Sequence, residues 1–431
     1  MAANVPEPRK PRPVRGFVFA EAGDAAAGTR RWEPWVYGVV LGLLYVVALS
    51  LALKGGLRGD ELYHYAQIQL FRHGDFRLLD TYLTTLPGYH AAVAGLLALG
   101  GLDSLASARI VNAAFGLLAL AAFHAVRRRA WPGTETLATA QLMALPILAP
   151  YFFLVYTDVL ALALVLGATA ASLSRRHLLA AVALLGALAV RQNNVAWAGL
   201  LAVLAIWPIW REGRLAAWHA MLRVALPYGV PVLAFVIFLV ANGSVSMSHG
   251  QAALHPASLH LGNPLFALFL AGLLLPLQVI DGLPAAWAWL RARPWRLLWP
   301  AGLLAVYWFG FHADNPYNTA LPDFLPRNAF LLALEHDLLL RAATGVVIVL
   351  AACGLATTRL RPDGAWWLYP FAAFFLAASW LVEQRYAMVP LVLWLALREP
   401  RGRGVELATL VWWLLLAGVL VGGMISGRFF L

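Results

Sequence analysis

Asp60 and Glu61 stand side by side just after an apolar run, and His64 and Gln67 follow Asp60 at spacings of four and three residues. That spacing puts Asp60, His64 and Gln67 on one face of a helix. A carboxylate at the rim of an apolar bundle can act as a general base, taking the proton of an attacking hydroxyl. Ionisable groups at membrane depth are costly and are usually retained for function. Five more polar motifs interrupt apolar runs: Tyr156-Thr157-Asp158, Arg191-Gln192-Asn193-Asn194, Ser248-His249-Gly250-Gln251, His312-Ala313-Asp314-Asn315 and Glu383-Gln384-Arg385-Tyr386. Plainer roles exist for each. The outer segment holding Asp60 can be a solvated loop, and Thr157 or Asp158 can cap a helix. Arg191 and Gln192 can anchor a hairpin at the interface, His312, Asp314 and Asn315 can form a hydrated turn, and Glu383 can pair locally with Arg385. His249 and His255 have no carboxylate at ligand spacing, so no metal site is expected.

The elements that must position these motifs follow from composition. Of 431 residues, 61% are hydrophobic and 12% charged, with a mean hydropathy of +0.72. A soluble chain of this size has no core large enough to bury that much apolar side chain. The reading is an all-α, polytopic membrane protein. The net charge of +11 comes from arginines in short loops between apolar runs, which marks topology rather than a nucleic-acid surface. Cys353 is the single cysteine, so disulfide frameworks and thiolate metal sites are excluded.

Residues 1–32 are polar, proline-containing and basic, and are expected to form a disordered cytoplasmic tail; residues 33–431 form one membrane domain. Placing the basic clusters in the cytoplasm gives a first span over Trp35 to Leu53 and an outer segment at 54–86. A short re-entrant or interfacial helix follows over Pro87 to Gly101. Later spans run over 106–126, 137–155, 159–173, 178–190, 195–210, 222–241, 264–280, 297–311, 342–356, 366–382, 386–397 and 407–425. With the first, this is about 13 spans, as lengths of roughly 20 apolar residues or somewhat fewer allow. Every dense arginine cluster then falls on one face, and all six polar motifs fall on the other.

Asp60-Glu61 with His64 and Gln67, then Gly74-Asp75-Phe76 and Thr84-Thr85-Leu86-Pro87-Gly88, resembles the first luminal loop of the dolichyl-phosphate-glucose-dependent alpha-1,2-glucosyltransferases. The resemblance continues in order at Arg109-Ile110-Val111-Asn112, at Tyr156-Thr157-Asp158 and at Arg191-Gln192-Asn193-Asn194, where the family has Thr at the place of Asn193. It extends to Gly250 through His260, Ala313-Asp314-Asn315 and Glu383-Gln384-Arg385-Tyr386 with Pro390. The stretch from Asn315 to Arg327 departs from the pattern in carrying Pro316, Pro322 and Pro326.

The resemblance implies a GT-C-type inverting glycosyltransferase, from a bacterial relative in an inner membrane rather than the endoplasmic reticulum, with its site on the periplasmic or luminal side. It implies transfer of glucose from a polyprenyl-phosphate-glucose donor to a lipid-linked glycan acceptor, with the bilayer as the other partner and no nucleic acid. In that frame Asp60 is the base and Glu61 the second choice. Arg191 and Arg385 hold the donor phosphate, because a guanidinium fork suits a departing phosphate. His64, Gln67, Asp158, Gln192, Asn193, His249, Asp314, Asn315 and Glu383 contact sugar or acceptor. A polyprenyl phosphate needs no acid to leave and no nucleotide site, so no cofactor is expected, a divalent ion staying open. The alternative class is a polyprenyl-lipid or solute transporter, against which stand the lack of an internal repeat and the position of the motifs at span ends.

Overall fold

Apolar runs broken by proline and by polar motifs fold as eighteen α-helices in the computed structural model, which describes residues 33–79, 83–213, 217–248, 250–254, 256, 258–321 and 324–430. The expected tail at 1–32, and His249 and His255, lie outside the described residues. The order is α1 Glu33–Leu53, α2 Glu61–Arg72, α3 Gly88–Leu99, α4 Leu105–Ala130, α5 Glu135–Met143, α6 Thr157–Leu173, α7 His177–Val190, α8 Val195–Arg211 and α9 Trp218–Asn242. There follow α10 Gly262–Leu274, α11 Pro276–Arg291, α12 Leu298–Gly310, α13 Pro316–Thr319, α14 Leu325–His336, α15 Leu338–Ala356, α16 Leu368–Ala377, α17 Met388–Leu397 and α18 Arg403–Ser426. No strand forms among the described residues beyond one isolated bridge, Leu360 to Arg398.

Among the described residues six helices are long and apolar enough to cross a membrane, or seven if a bent pair is one span; five further apolar helices are shorter. Helix length alone therefore supports fewer crossings than the 13 expected. α1 and α9 leave most of their apolar side chains outward, among them Leu43, Val46, Leu226 and Val240, as helices in lipid do. The bent pair is α10 with α11, which meet at 102°. Pro276 opens α11; it lacks the amide hydrogen that would continue α10 and pushes Leu275 out of the helical region.

The expected single span over 137–155 is not one helix. α5 stops at Met143, and residues 144–156 run as turns and a short 3₁₀ segment, every one of them buried. Irregular backbone at membrane depth is tolerated only where protein surrounds it, and here it is packed into the main apolar core with Tyr45, Trp197 and Trp413. α14, not anticipated, fills the region after the proline-rich departure.

α4 fixes the vertical scale. Arg109 near its start and Arg127 near its end are both buried, and the 18 residues between them span about 27 Å at 1.5 Å per residue, close to the hydrocarbon thickness of about 30 Å. At the far end Arg127 donates to the carbonyls of Leu395, Ala396 and Arg398, while Arg398 grips Glu406 through two nitrogens, at 2.7 and 2.6 Å. Arginines read from sequence as topology signals thus include two that lock α4, α17 and α18 together.

α3 and α7 approach so closely that a Cβ on Gly88 would sit 2.5 Å from the carbonyl oxygen of Ala189. Backbone cannot yield as a side-chain tip can. Gly88→Ala is expected to destabilise the protein by about 1–3 kcal/mol through overpacking, read as a lower midpoint of thermal unfolding in detergent.

Candidate active site

Asp60 sits where the backbone turns into α2. Gly59 takes a φ of +51°, and a Cβ there would lie 2.6 Å from the Tyr156 hydroxyl and 2.7 Å from the Phe430 ring. Only glycine fits that turn without strain. The Asp60 amide donates to the Tyr156 hydroxyl at 2.6 Å, and Phe430 stacks on the Tyr156 ring at 6.0 Å. The carboxylate of Asp60 is thereby aimed across the pocket, where its Oδ2 accepts from Nη2 of Arg385 at 3.0 Å.

Arg385 belongs to the short 3₁₀ segment leading into α17. Its Nε donates to Glu383, and its guanidinium lies over the rings of Tyr156 and Tyr151, 5.2 and 5.9 Å from their centroids. Glu383 is buried and also lies 3.7 Å from Nη1 of Arg327, on α14. Asp158, in the first turn of α6, pairs with Arg191, which lies 5.8 Å from the centroid of Tyr386. His64 faces the same space: its Nδ1 is 3.0 Å from Nε2 of His90 and its ring is 5.4 Å from that of Tyr156. Burial, then Arg385 and Arg191, pushes the His64 ring down to about 3, so this imidazole is neutral across the physiological range.

The other motifs converge on this arrangement as scaffold. Gln192 donates to the carbonyls of Thr84 and Val245 and accepts from the Leu86 amide. Gln67 bonds the Arg77 carbonyl and the Leu79 amide. Asn315 caps α13 at the Tyr317 amide and reaches the Leu254 carbonyl, Gln251 accepts from the Tyr317 hydroxyl, and Asp314 accepts from Trp380. The amides of Gln67, Gln192 and Asn315, each expected to contact sugar, bond chain through both their oxygen and their nitrogen. Glu61 is also displaced from its expected role. It is fully buried, and its oxygens accept from two nitrogens of Arg109 and from the amides of Arg58 and Val155. Arg109 spends its remaining donors on the carbonyls of Ala52, Gly55 and Gly56. A carboxylate so enclosed cannot reach a substrate.

Several buried polar atoms in the pocket region have no partner within the protein: Oδ2 of Asp158, Oδ1 of Asn193, Oγ1 of Thr85 and the Tyr151 hydroxyl. Buried polar groups are nearly always paired, so these are the atoms a polyhydroxylated ligand would satisfy. One helical turn past Arg385, at Ala387 and Pro390, begins an apolar cavity of about 430 Å³ walled by Ala271, Leu303, Tyr369 and Trp394. Among the described residues no three His, Cys, Asp or Glu side chains gather where they could hold a metal.

Sequence reasoning did not single out Arg327, Tyr151, His90 or Phe430. Tyr151, His90 and Phe430 lie inside apolar stretches, and Arg327 stands in the departing segment. Only contacts reveal them.

The chain is similar to three proteins named Dol-P-Glc:Glc(2)Man(9)GlcNAc(2)-PP-Dol alpha-1,2-glucosyltransferase. That of Yarrowia lipolytica is 29% identical over 266 residues, 54% of this chain and about half, 49%, of that relative's length. That of Drosophila melanogaster is 27% identical over 390 residues, 81% of this chain and 86% of the relative. That of Arabidopsis thaliana is 35% identical over 159 residues, 32% of this chain and 31% of the relative. Among solved structures, ArnT of Cupriavidus metallidurans in the apo state aligns over 91% of this chain and 78% of its own, with a TM-score of 0.42 and 16% identity. The three sequence relatives come from a yeast, a fly and a plant, so the expectation of a bacterial relative is not borne out. Residues 58–217, which carry Asp60, Arg109, Asp158 and Arg191, match the DIE2/ALG10 family model, in line with the resemblance in the motifs of that stretch.

Proposed function

We propose that this protein is an inverting glucosyltransferase that moves glucose from a polyprenyl-phosphate-glucose donor to a lipid-linked glycan acceptor on the periplasmic or luminal side of its membrane. The observation that carries the reading is the carboxylate of Asp60 facing the guanidinium of Arg385 above an apolar cavity, in a chain whose relatives bear the name of that activity. The acceptor hydroxyl oxygen attacks the anomeric carbon and forms the new glycosidic bond. Asp60 takes the hydroxyl proton, and the bond from the anomeric carbon to the phosphate oxygen breaks. Its electron pair leaves on the polyprenyl phosphate, whose added charge Arg385 and Arg191 neutralise with fixed donors. The isoprenoid chain would enter the apolar cavity that begins at Ala387, two residues past Arg385, whose lining suits a lipid chain. The unpartnered atoms of Asp158, Asn193 and Thr85 would bind sugar hydroxyls.

Purified protein in liposomes, given polyprenyl-phosphate-glucose labelled in the sugar and a panel of lipid-linked glycans, is expected to move label into an acceptor and release polyprenyl phosphate. Movement of intact donor across the vesicle membrane without consumption would instead establish the transporter reading, which none of the named relatives supports.

A further inference from the structure

The guanidinium groups that meet Asp60, Asp158 and Glu383 are all already paired with those carboxylates. Among the described residues they pair as Arg191 with Asp158, Arg327 with Glu383, and Arg385 with both Glu383 and Asp60. Arg58, next to the pocket, turns its side chain to the Ile425 carbonyl. His64 adds no charge, being held neutral beside two arginines. A phosphate arriving as an anion therefore meets guanidinium charge already balanced by carboxylates, and it binds most strongly where one carboxylate gives way.

The three carboxylates differ in how easily they leave. The side chain of Glu383 is 1% exposed, that of Asp158 6%, and that of Asp60 31%. Releasing Glu383 or Asp158 would strand a charge in a dry environment. Releasing Asp60 returns it to the open part of the pocket, while Arg385 keeps Glu383 as its permanent counter-ion. Asp60 also contributes a single contact to Arg385, at 3.0 Å through one oxygen.

We infer that the Asp60–Arg385 ion pair is a latch opened by the donor's phosphate: Arg385 holds the base while the site is empty and gives it up when phosphate takes its place. This deepens the transferase reading and rests on it. While its Oδ2 accepts from Arg385, the Asp60 carboxylate is committed to that contact rather than to an acceptor hydroxyl, so the base becomes competent only when a donor is seated. Arg385 then has two functions, phosphate binding and positioning of the base, and the donor binds before the acceptor.

The test uses the whole protein in detergent, the sugar-free probe undecaprenyl phosphate, and carbodiimide-driven amidation of carboxyl groups read by mass spectrometry. Asp60 labelling is expected to rise about tenfold on adding the phosphate lipid, equivalent to about 1.4 kcal/mol, and to stay at its starting level with the uncharged polyprenol. Arg385→Gln is expected to label fast at Asp60 with or without lipid, while buried Glu61 stays unlabelled and so reports an intact fold. If that variant unfolds, labelling Glu61 as well, the wild-type comparison of phosphate against alcohol decides. Binding of the phosphate lipid, seen as a raised thermal midpoint, without a rise in Asp60 labelling overturns the latch and leaves the transferase reading standing. No binding of the phosphate lipid at all overturns both.

Discussion

Asp60→Asn is expected to abolish measurable transfer while leaving the protein folded and able to bind donor. The amide keeps the size of the side chain and can still meet Arg385, but it cannot take a proton from an acceptor hydroxyl. Loss of a positioned general base costs about 10²- to 10⁴-fold in rate. Asp60 is partly exposed and its amide, not its carboxylate, is what Tyr156 holds, so the local backbone survives the change. Single-turnover transfer with donor pre-bound separates chemistry from binding. Transfer by Asp60→Asn at the wild-type rate would remove Asp60 from the reaction and shift attention to Asp158, whose Oδ2 has no partner.

Arg109→Met is expected to lower stability by about 3–5 kcal/mol, the range for removing one partner of a buried ion pair. Glu61 would be left as an uncompensated charge at zero exposure, and the carbonyls of Ala52, Gly55 and Gly56 would lose their donors. These groups tie the end of α1, the start of α2 and the approach to α6 into one knot, and Asp60 is the residue next to Glu61. Activity should therefore fall with the fold, in contrast to Asp60→Asn. Glu61→Gln combined with Arg109→Met should lose less than the sum of the two single changes, because the residues share one interaction. Chemical unfolding in detergent measures both; an Arg109→Met protein as stable as wild type would show that the knot contributes little.

Much of this protein was legible in its residue string because membrane proteins obey a strict solvent rule. Apolar run length placed the long helices within a few residues, as at α1, α4, α9 and α18, since backbone in lipid must bond to itself. Where that rule relaxes, the reading failed. The 137–155 stretch is apolar enough for a span, yet protein surrounds it and lets its backbone turn; apolarity cannot separate a lipid neighbour from a protein one. The single span expected over 264–280 is likewise broken, by the sharp bend at Leu275, because Pro276 cannot continue α10.

The residue types at the site were equally readable. Carboxylates and arginines breaking apolar runs stand out because their burial is costly, and Asp60, Asp158, Arg191, Glu383 and Arg385 do meet. What the string could not assign was which charge faces a substrate and which is sealed in the fold. Asp60 and Glu61 are neighbours of nearly equal chemistry, but a helix turns each residue by about 100° from the last, so one points into the pocket and the other into Arg109. Residue order determined that this chain is helical, lives in a membrane and gathers acids and bases at span ends. Tertiary packing decided the division of labour among them, because an ion pair's role depends on what surrounds it, and that is set by residues as much as 325 positions away in the chain.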